Sequence, residues 1–279
     1  MPEAGGIPYD PLALDATERR FWADLWRAAS PALAAEHGIE LRAFGPLQAT
    51  VVRDLAPVRA MNLVLGAAEA DADQLAAGLA WAEGQGVDFY VAVTPGLPGG
   101  ASADALLRER GYELAYGWMK FVRGAEPPAG PEPEGVDVVE LGGDPGDGAL
   151  LGRIVSAGFG LPPWMGTLFE GVCGADGWRC YAALLDGEPV AAATLLVNGA
   201  VAECGAAATL EAARGRGCQS ALLRRRIRDA AADGCRTLFV ETGVRTDERP
   251  SASYRNILRA GFREAYVRPN WTVQATAAA

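Results

Sequence analysis

The sequence predicts an α+β protein of two similar units, each a mixed, mainly antiparallel sheet flanked by helices. Three observations carry this. The second half alternates helix-like and strand-like periods in an order that no all-α or doubly wound pattern produces. The two halves end alike: ALLRERGYELAYGWMKFVR at residues 105–123 parallels NILRAGFREAYVRPNWTV at residues 256–273. Each reads as a helix, a Gly-aromatic stop and alternating aromatic strands, the signature of a duplication. Between them lies GAEPPAGPEPEG, residues 124–135, with four prolines, three glutamates and no large apolar residue. Such a segment packs no core and reads as a semi-rigid linker. The expected domains are residues 1–123 and 136–279, with 124–135 joining them.

In the first half, residues 17–36 have the period and composition of a long helix. Runs at 39–44, 47–55 and 58–65 read as strands. They precede a helix over 71–85, a strand over 87–94, a helix over 102–110 and a closing strand pair over 112–123. In the second half, helices are expected over 146–159 and 164–173, separated by Pro162-Pro163. Strands over 179–185 and 189–197 flank Asp186-Gly187, a strong hairpin signal, and Asn198-Gly199 repeats it before a third strand over 201–210. An amphipathic helix over 220–233 ends at Gly234. A strand over 237–242, a helix over 251–260 and a strand pair over 262–273 complete the order.

Composition excludes several functions. A net charge of −10 over 279 residues argues against wholesale nucleic-acid binding, which needs a basic face, but leaves room for a local basic pocket. The five cysteines are odd in number, lie between Cys173 and Cys235 and form no CxxC pair. They read as reduced, buried hydrophobes, with neither a disulfide framework nor a zinc site. His37 is the single histidine, which removes a Ser-His-Asp triad and any multi-histidine metal site. No signal peptide and no apolar run of membrane-spanning length is visible. The expectation is a cytoplasmic protein that uses no metal, nucleic acid or membrane.

The chemistry concentrates in Arg214-Gly215-Arg216-Gly217-Cys218-Gln219-Ser220, set between a strand and a helix. A helix N-terminus presents unpaired N–H groups and the positive end of a dipole. Glycines ahead of it let the backbone approach an anion, and arginines add charge. The segment suits a pyrophosphate. It lacks the Gly-Lys-Ser/Thr of a nucleotide-triphosphate loop and the G-x-G-x-x-G of a dinucleotide fold. Arg224, Arg225, Arg226 and Arg228 follow on the helix; beside the apolar stripe of Leu222, Leu223 and Ile227 they read mostly as a solvated face. Cys218 reads as a small packing residue, although a helix N-terminus lowers a thiol's pKa.

From Pro189 to Phe262 the sequence resembles the GNAT N-acetyltransferase superfamily, whose Arg/Gln-x-x-Gly-x-Gly/Ala signature is met by Arg214 and Gly217 and departed from at Gln219. The first half resembles a degenerate GNAT unit, with Gly66-Ala67-Ala68-Glu69-Ala70 where the loop belongs, lacking arginine and carrying an acid that repels pyrophosphate. The resemblance implies acetyl-CoA as cosubstrate and a primary amine, in the first instance of a small molecule, as acceptor. It implies cofactor contacts from Ala207, Ala208, Thr209 and Leu210 on the third strand, from Arg214 through Ser220, and from Asn256. It implies a general base at Glu203. The family's acid tyrosine is replaced by Ile257, which leaves Tyr254 as the candidate acid. Two alternatives stand beside this: a non-catalytic acyl-CoA-binding module, and acetylation of a protein lysine or N-terminus. Either a monomer or a homodimer is compatible with the duplicated halves.

Overall fold

The computed structural model describes residues 1–142, 144–245 and 252–273. The chain forms two compact units, and neither is a linear half: one comprises Met1–Tyr9 with Lys120–Ala265, the other Asp10–Met119 with Tyr266–Ala279.

The first of these units is built on an eight-stranded sheet. Its order is Arg263–Arg268, Trp118–Arg123, Thr237–Gly243, Val201–Glu203, Glu188–Asn198, Trp178–Leu185 and Val136–Leu141, with Ala207–Thr209 also paired to Glu188–Asn198. Neighbours around the hairpins are antiparallel, whereas Val201–Glu203 runs parallel to Thr237–Phe239. The hairpin turn at Asp186-Gly187 puts both residues at positive φ, 52° and 81°, as the Asp-Gly signal predicts. Helices Asp147–Phe159 and Gly166–Val172 pack closely on one another, because a Cβ on Gly152 would enter the backbone of Gly166. Helix Cys218–Ala232 follows the glycine loop. Helix Ala252–Arg259 matches the expected 251–260, of which Ser251 lies outside the described residues.

The other unit has a six-stranded sheet in the order Ile39–Phe44, Leu47–Val52, Leu63–Leu65, Tyr90–Ala92, Asn270–Thr272 and Glu113–Leu114. Its one parallel pair, Leu63↔Tyr90 and Val64↔Val91, is the counterpart of the parallel pair in the first sheet. Leu47, Val64, Leu79, Val91, Leu107 and Trp271 are buried together in its core.

The duplication has a topological consequence. The closing strands of the halves change places, Trp118–Arg123 joining the second half's sheet and Asn270–Thr272 the first half's. Local pairing does not distinguish the two, since each follows the same helix–Gly–aromatic unit. Side chains do. Phe121 meets Tyr254 edge-to-face at 4.8 Å, Lys120 pairs with Glu241, and Arg123 donates to the Ala260 carbonyl at 2.6 Å. Trp271 donates to Asp104 at 3.0 Å, and Asn270 to the Tyr116 carbonyl at 2.7 Å.

Several elements differ from the sequence reading. The expected helix over 17–36 is two, Pro11–Arg27 and Pro31–His37, because Ser30 caps the second and Pro31 cannot donate into the first. Strand Val136–Leu141 was not predicted; its neighbour is the linker, whose prolines obscure its start. The third strand of the second half is interrupted between Glu203 and Ala207. Among the described residues no helix is long and apolar enough to cross a membrane, and no group of three or more His, Cys, Asp or Glu residues is arranged to hold a metal ion.

Candidate functional site

The interruption creates the site. Val201–Glu203 pairs on both sides, with Leu196–Asn198 and with Thr237–Phe239. The Cys204 N–H donates to the Phe239 carbonyl at 2.8 Å, and the ladder with the parallel neighbour ends there. Ala207–Thr209 keeps only its pairing to Ala191–Ala193. A gap therefore opens between residues 207–209 and the far end of Thr237–Gly243.

Register sorts the amides of this splayed strand. Thr194 donates to the Ala206 carbonyl at 3.2 Å and Leu210 to the Val190 carbonyl at 2.9 Å. Antiparallel alternation then turns the Ala208 N–H toward the same partner strand and the Ala207 and Thr209 N–H groups the other way, into the gap. Of the four residues expected to contact the cofactor, Ala207 and Thr209 present amides to the gap. Leu210 and Ala208 have theirs committed to the sheet.

Side-chain direction follows the same register. Ala208 lies under helix Asp147–Phe159, where a Cβ on Gly158 would come 2.6 Å from the Ala208 Cβ. Antiparallel partners share a face, so Glu203, opposite Leu196, faces the same way as Ala208, opposite Ala192. Thr209 faces the other side, where its Oγ1 accepts from Gln219 Nε2 at 2.9 Å. Glu203 is thus buried on the face carrying the early helices, and the glycine loop's helix lies on the other. The bulk of Gln219, the departure from the family signature, is taken up by a bond tying the first helical turn to the splayed strand.

In the loop, Gly215 and Gly217 adopt φ of 80° and 88°, which side-chain-bearing residues disfavour. Gly217 is the N-cap of helix Cys218–Ala232 and no side chain caps this terminus. The amides of Cys218, Gln219 and Ser220 therefore have no intrahelical acceptor. Arg216 is exposed, and exposed Arg214 reaches the Gly158 carbonyl at 3.5 Å. Cys218 is buried, and burial pushes its thiol up rather than down, which overrides the effect of the helix terminus.

The arginines that follow correct the sequence reading. Arg224 and Arg226 are buried, not solvated. Arg224 donates to the carbonyls of Ala129 and Gly130 at 2.6 Å each, and with Arg228 it pairs with Glu132. The linker is thereby strapped along the helix, and Pro133 lies against Gly217. Burial pushes the Glu132 carboxyl up, but the hydrogen bonds from Arg228 and Arg224 outweigh it and leave it below its ordinary value. Arg225 bonds Asp229 at 2.8 Å and the Val138 carbonyl at 3.2 Å. Arg226 serves backbone carbonyls beside the gap. None of these roles was legible in the sequence, because helical spacing gives no account of carbonyls from distant segments.

Tyr254 is buried, and its hydroxyl is bonded to Glu264 on strand Arg263–Arg268. Burial, with Glu264 second, pushes its pKa up to about 12. That strand lies beyond Trp118–Arg123 and Thr237–Gly243, so the hydroxyl is turned away from the gap. Ile257 is buried and Asn256 half-buried on the same helix.

A mixed sheet that splays beside its parallel strand pair, followed by a glycine loop at a bare helix N-terminus, defines the GNAT class of fold. A family model for the acetyltransferase (GNAT) domain matches residues 152–265. A search of the curated proteins finds no match. Among solved structures, a GCN5-related N-acetyltransferase from Sphaerobacter thermophilus is 18% identical, with a TM-score of 0.57 over 95% of this chain and 93% of that one. One from Kribbella flavida is 13% identical, with a TM-score of 0.54 over 90% and 96%. A tandem GNAT protein from the clavulanic acid biosynthesis pathway is 15% identical, with a TM-score of 0.58 over 84% and 79%. These likenesses are of fold, and each spans most of this chain.

Proposed function

We propose that the chain is an acetyl-CoA-dependent N-acetyltransferase whose acceptor is a primary amine, in the first instance of a small molecule. The observation that carries this is the conjunction of the splayed strand, with the Ala207 and Thr209 amides turned into the gap, and the uncapped loop Arg214–Ser220 at the helix N-terminus. In this reading the loop amides and Arg214 or Arg216 hold the pyrophosphate. The gap takes the pantetheine arm, and a strand amide steadies the oxyanion as the amine attacks the thioester carbonyl. Glu203, buried on the face of the early helices, takes the proton from the ammonium directly or through water. The departing thiolate takes a proton from solvent, because the Tyr254 hydroxyl is engaged by Glu264.

The other unit carries no donor in this proposal. In its counterpart of the loop, Glu69 is paired with Arg19 at 2.5 Å, and a Cβ on Gly99 would enter the Ala68 carbonyl, so backbone lies against backbone where a cofactor would pass.

Ile257 in place of the family tyrosine favours a second reading, a non-catalytic acyl-CoA-binding module. Calorimetry with acetyl-CoA and a thiol-release screen over an amine library test both. Binding with turnover on at least one amine is expected. Binding without turnover on any small amine, basic peptide or protein N-terminus selects the binding module, and absence of binding overturns both.

A further inference from the structure

The register of the interrupted strand contains one residue too many. Val201, Ala202 and Glu203 pair with Asn198, Val197 and Leu196, whereas Ala207, Ala208 and Thr209 pair with Ala193, Ala192 and Ala191. Between these blocks Thr194 and Leu195 face Cys204, Gly205 and Ala206, which is a β-bulge. A bulge leaves ladder carbonyls without their regular donors, and here Thr194 is buried and Gly205 half-buried. Arg226 supplies the donors. Its Nη1 donates to the Gly205 carbonyl at 3.0 Å and to the Thr194 carbonyl at 3.1 Å, while its Nε donates to Leu222 at 3.3 Å. The side chain is only 2% exposed. A fully buried guanidinium is costly to hold without hydrogen bonds, and the Nη1 bonds are made at the place where the strand leaves its parallel neighbour. Burial draws its pKa down, and hydrogen bonds to the charged form are what oppose that cost.

We propose that Arg226 is a positioning residue for the donor: by capping the carbonyls of Gly205 and Thr194 it holds the bulge that swings Ala207–Thr209 away from Thr237–Gly243 and aims the Ala207 and Thr209 amides into the gap. The inference rests on the reading of that gap as the donor site. Without the two-pronged cap, the cheapest repair is for residues 204–207 to rotate and pair their carbonyls elsewhere, which closes or reorients the gap.

The test uses the full chain with Arg226→Met and Arg226→Lys. Acetyl-CoA affinity is measured by calorimetry, and hydrogen exchange is followed in peptides covering 203–210 and, as reference, 178–185 of the same sheet. Arg226→Met is expected to weaken acetyl-CoA binding by about tenfold, the effect of losing one charge-assisted hydrogen bond. Exchange at 203–210 should rise while 178–185 stays protected. Arg226→Lys, which keeps the charge but is shorter and lacks the Nε donor that anchors the side chain on the Leu222 carbonyl, is expected to fall between wild type and Arg226→Met on both measures. Unchanged affinity and unchanged exchange in either variant overturn the proposal. So does exchange that rises equally in both peptides, which marks a merely structural arginine. If Arg226→Met does not fold, Arg226→Lys decides. If wild type binds no acetyl-CoA, the donor reading fails, and the exchange comparison alone judges the claim about the bulge.

Discussion

Replacing Gly217 by alanine separates two costs that the loop combines. The backbone there has φ of 88°, where an L-residue is disfavoured by about 1–2 kcal/mol. An added Cβ would also come 2.9 Å from Pro133 Cβ and 3.6 Å from its Cγ, against an optimum of about 3.5–4.0 Å. Pro133 has little freedom to retreat, because Arg224 and Arg228 hold residues 129–132. Overpacking of this kind costs about 1–3 kcal/mol. Gly215 is the internal control, with φ of 80° and nothing within 4 Å of its added Cβ. Gly215→Ala should therefore lose about 1–2 kcal/mol, and Gly217→Ala about 2–5 kcal/mol. With two compact units in the chain, native-state hydrogen exchange of helix Cys218–Ala232 is the appropriate measurement. In a double-mutant cycle, Pro133→Gly should rescue only the steric part, a coupling of about 1–3 kcal/mol. Equal losses at Gly215 and Gly217, or a coupling below about 0.5 kcal/mol, would refute the reasoning.

Four further outcomes follow from the same geometry. Glu203→Gln should lower kcat by about 10²–10⁴-fold with acetyl-CoA affinity little changed; a loss confined to donor affinity would instead assign Glu203 to the cofactor. Tyr254→Phe should leave the pH–rate profile in place and cost stability through the lost bond to Glu264, whereas a shifted alkaline limb would restore the tyrosine as acid. Calorimetry should give one acetyl-CoA per chain, since Arg19–Glu69 occupies the other unit's loop; a stoichiometry of two would contradict this. The Glu132 carboxyl has a depressed pKa when folded, so its contribution is present above the ordinary carboxylate value and is lost as pH falls through the folded value. Being half-exposed, that contribution is small, but proteolysis of residues 124–135 should rise as pH falls below about 4. Proteolysis independent of pH in that range would show that Arg224's carbonyl contacts hold the strap without Glu132.

How much was legible in the sequence depended on range. The Asp186-Gly187 hairpin, the glycine loop with its helix and the resemblance of 105–123 to 256–273 are local signals, and each specifies its element through φ preference or periodicity. The long helix over 17–36 was misread because Pro31 was outweighed by the helical period around it, although Ser30-Pro31 is itself a helix start. The arginines of the loop helix were misread for a different reason. Spacing predicts which way a side chain leaves its helix, not that a bulge in the strand pair it packs on leaves carbonyls for Arg226 to cap.

The sequence by itself determined that this chain is a duplicated α+β protein with one glycine-arginine loop at a helix N-terminus, because turn chemistry and helix capping act over a few residues. Only the tertiary structure decided which sheet each closing strand joins, because the two strands present the same local pattern and are told apart by Lys120, Phe121, Asn270 and Trp271. It alone decided which amides of residues 207–210 face the gap, because a one-residue bulge sets that parity and leaves no mark in composition or period.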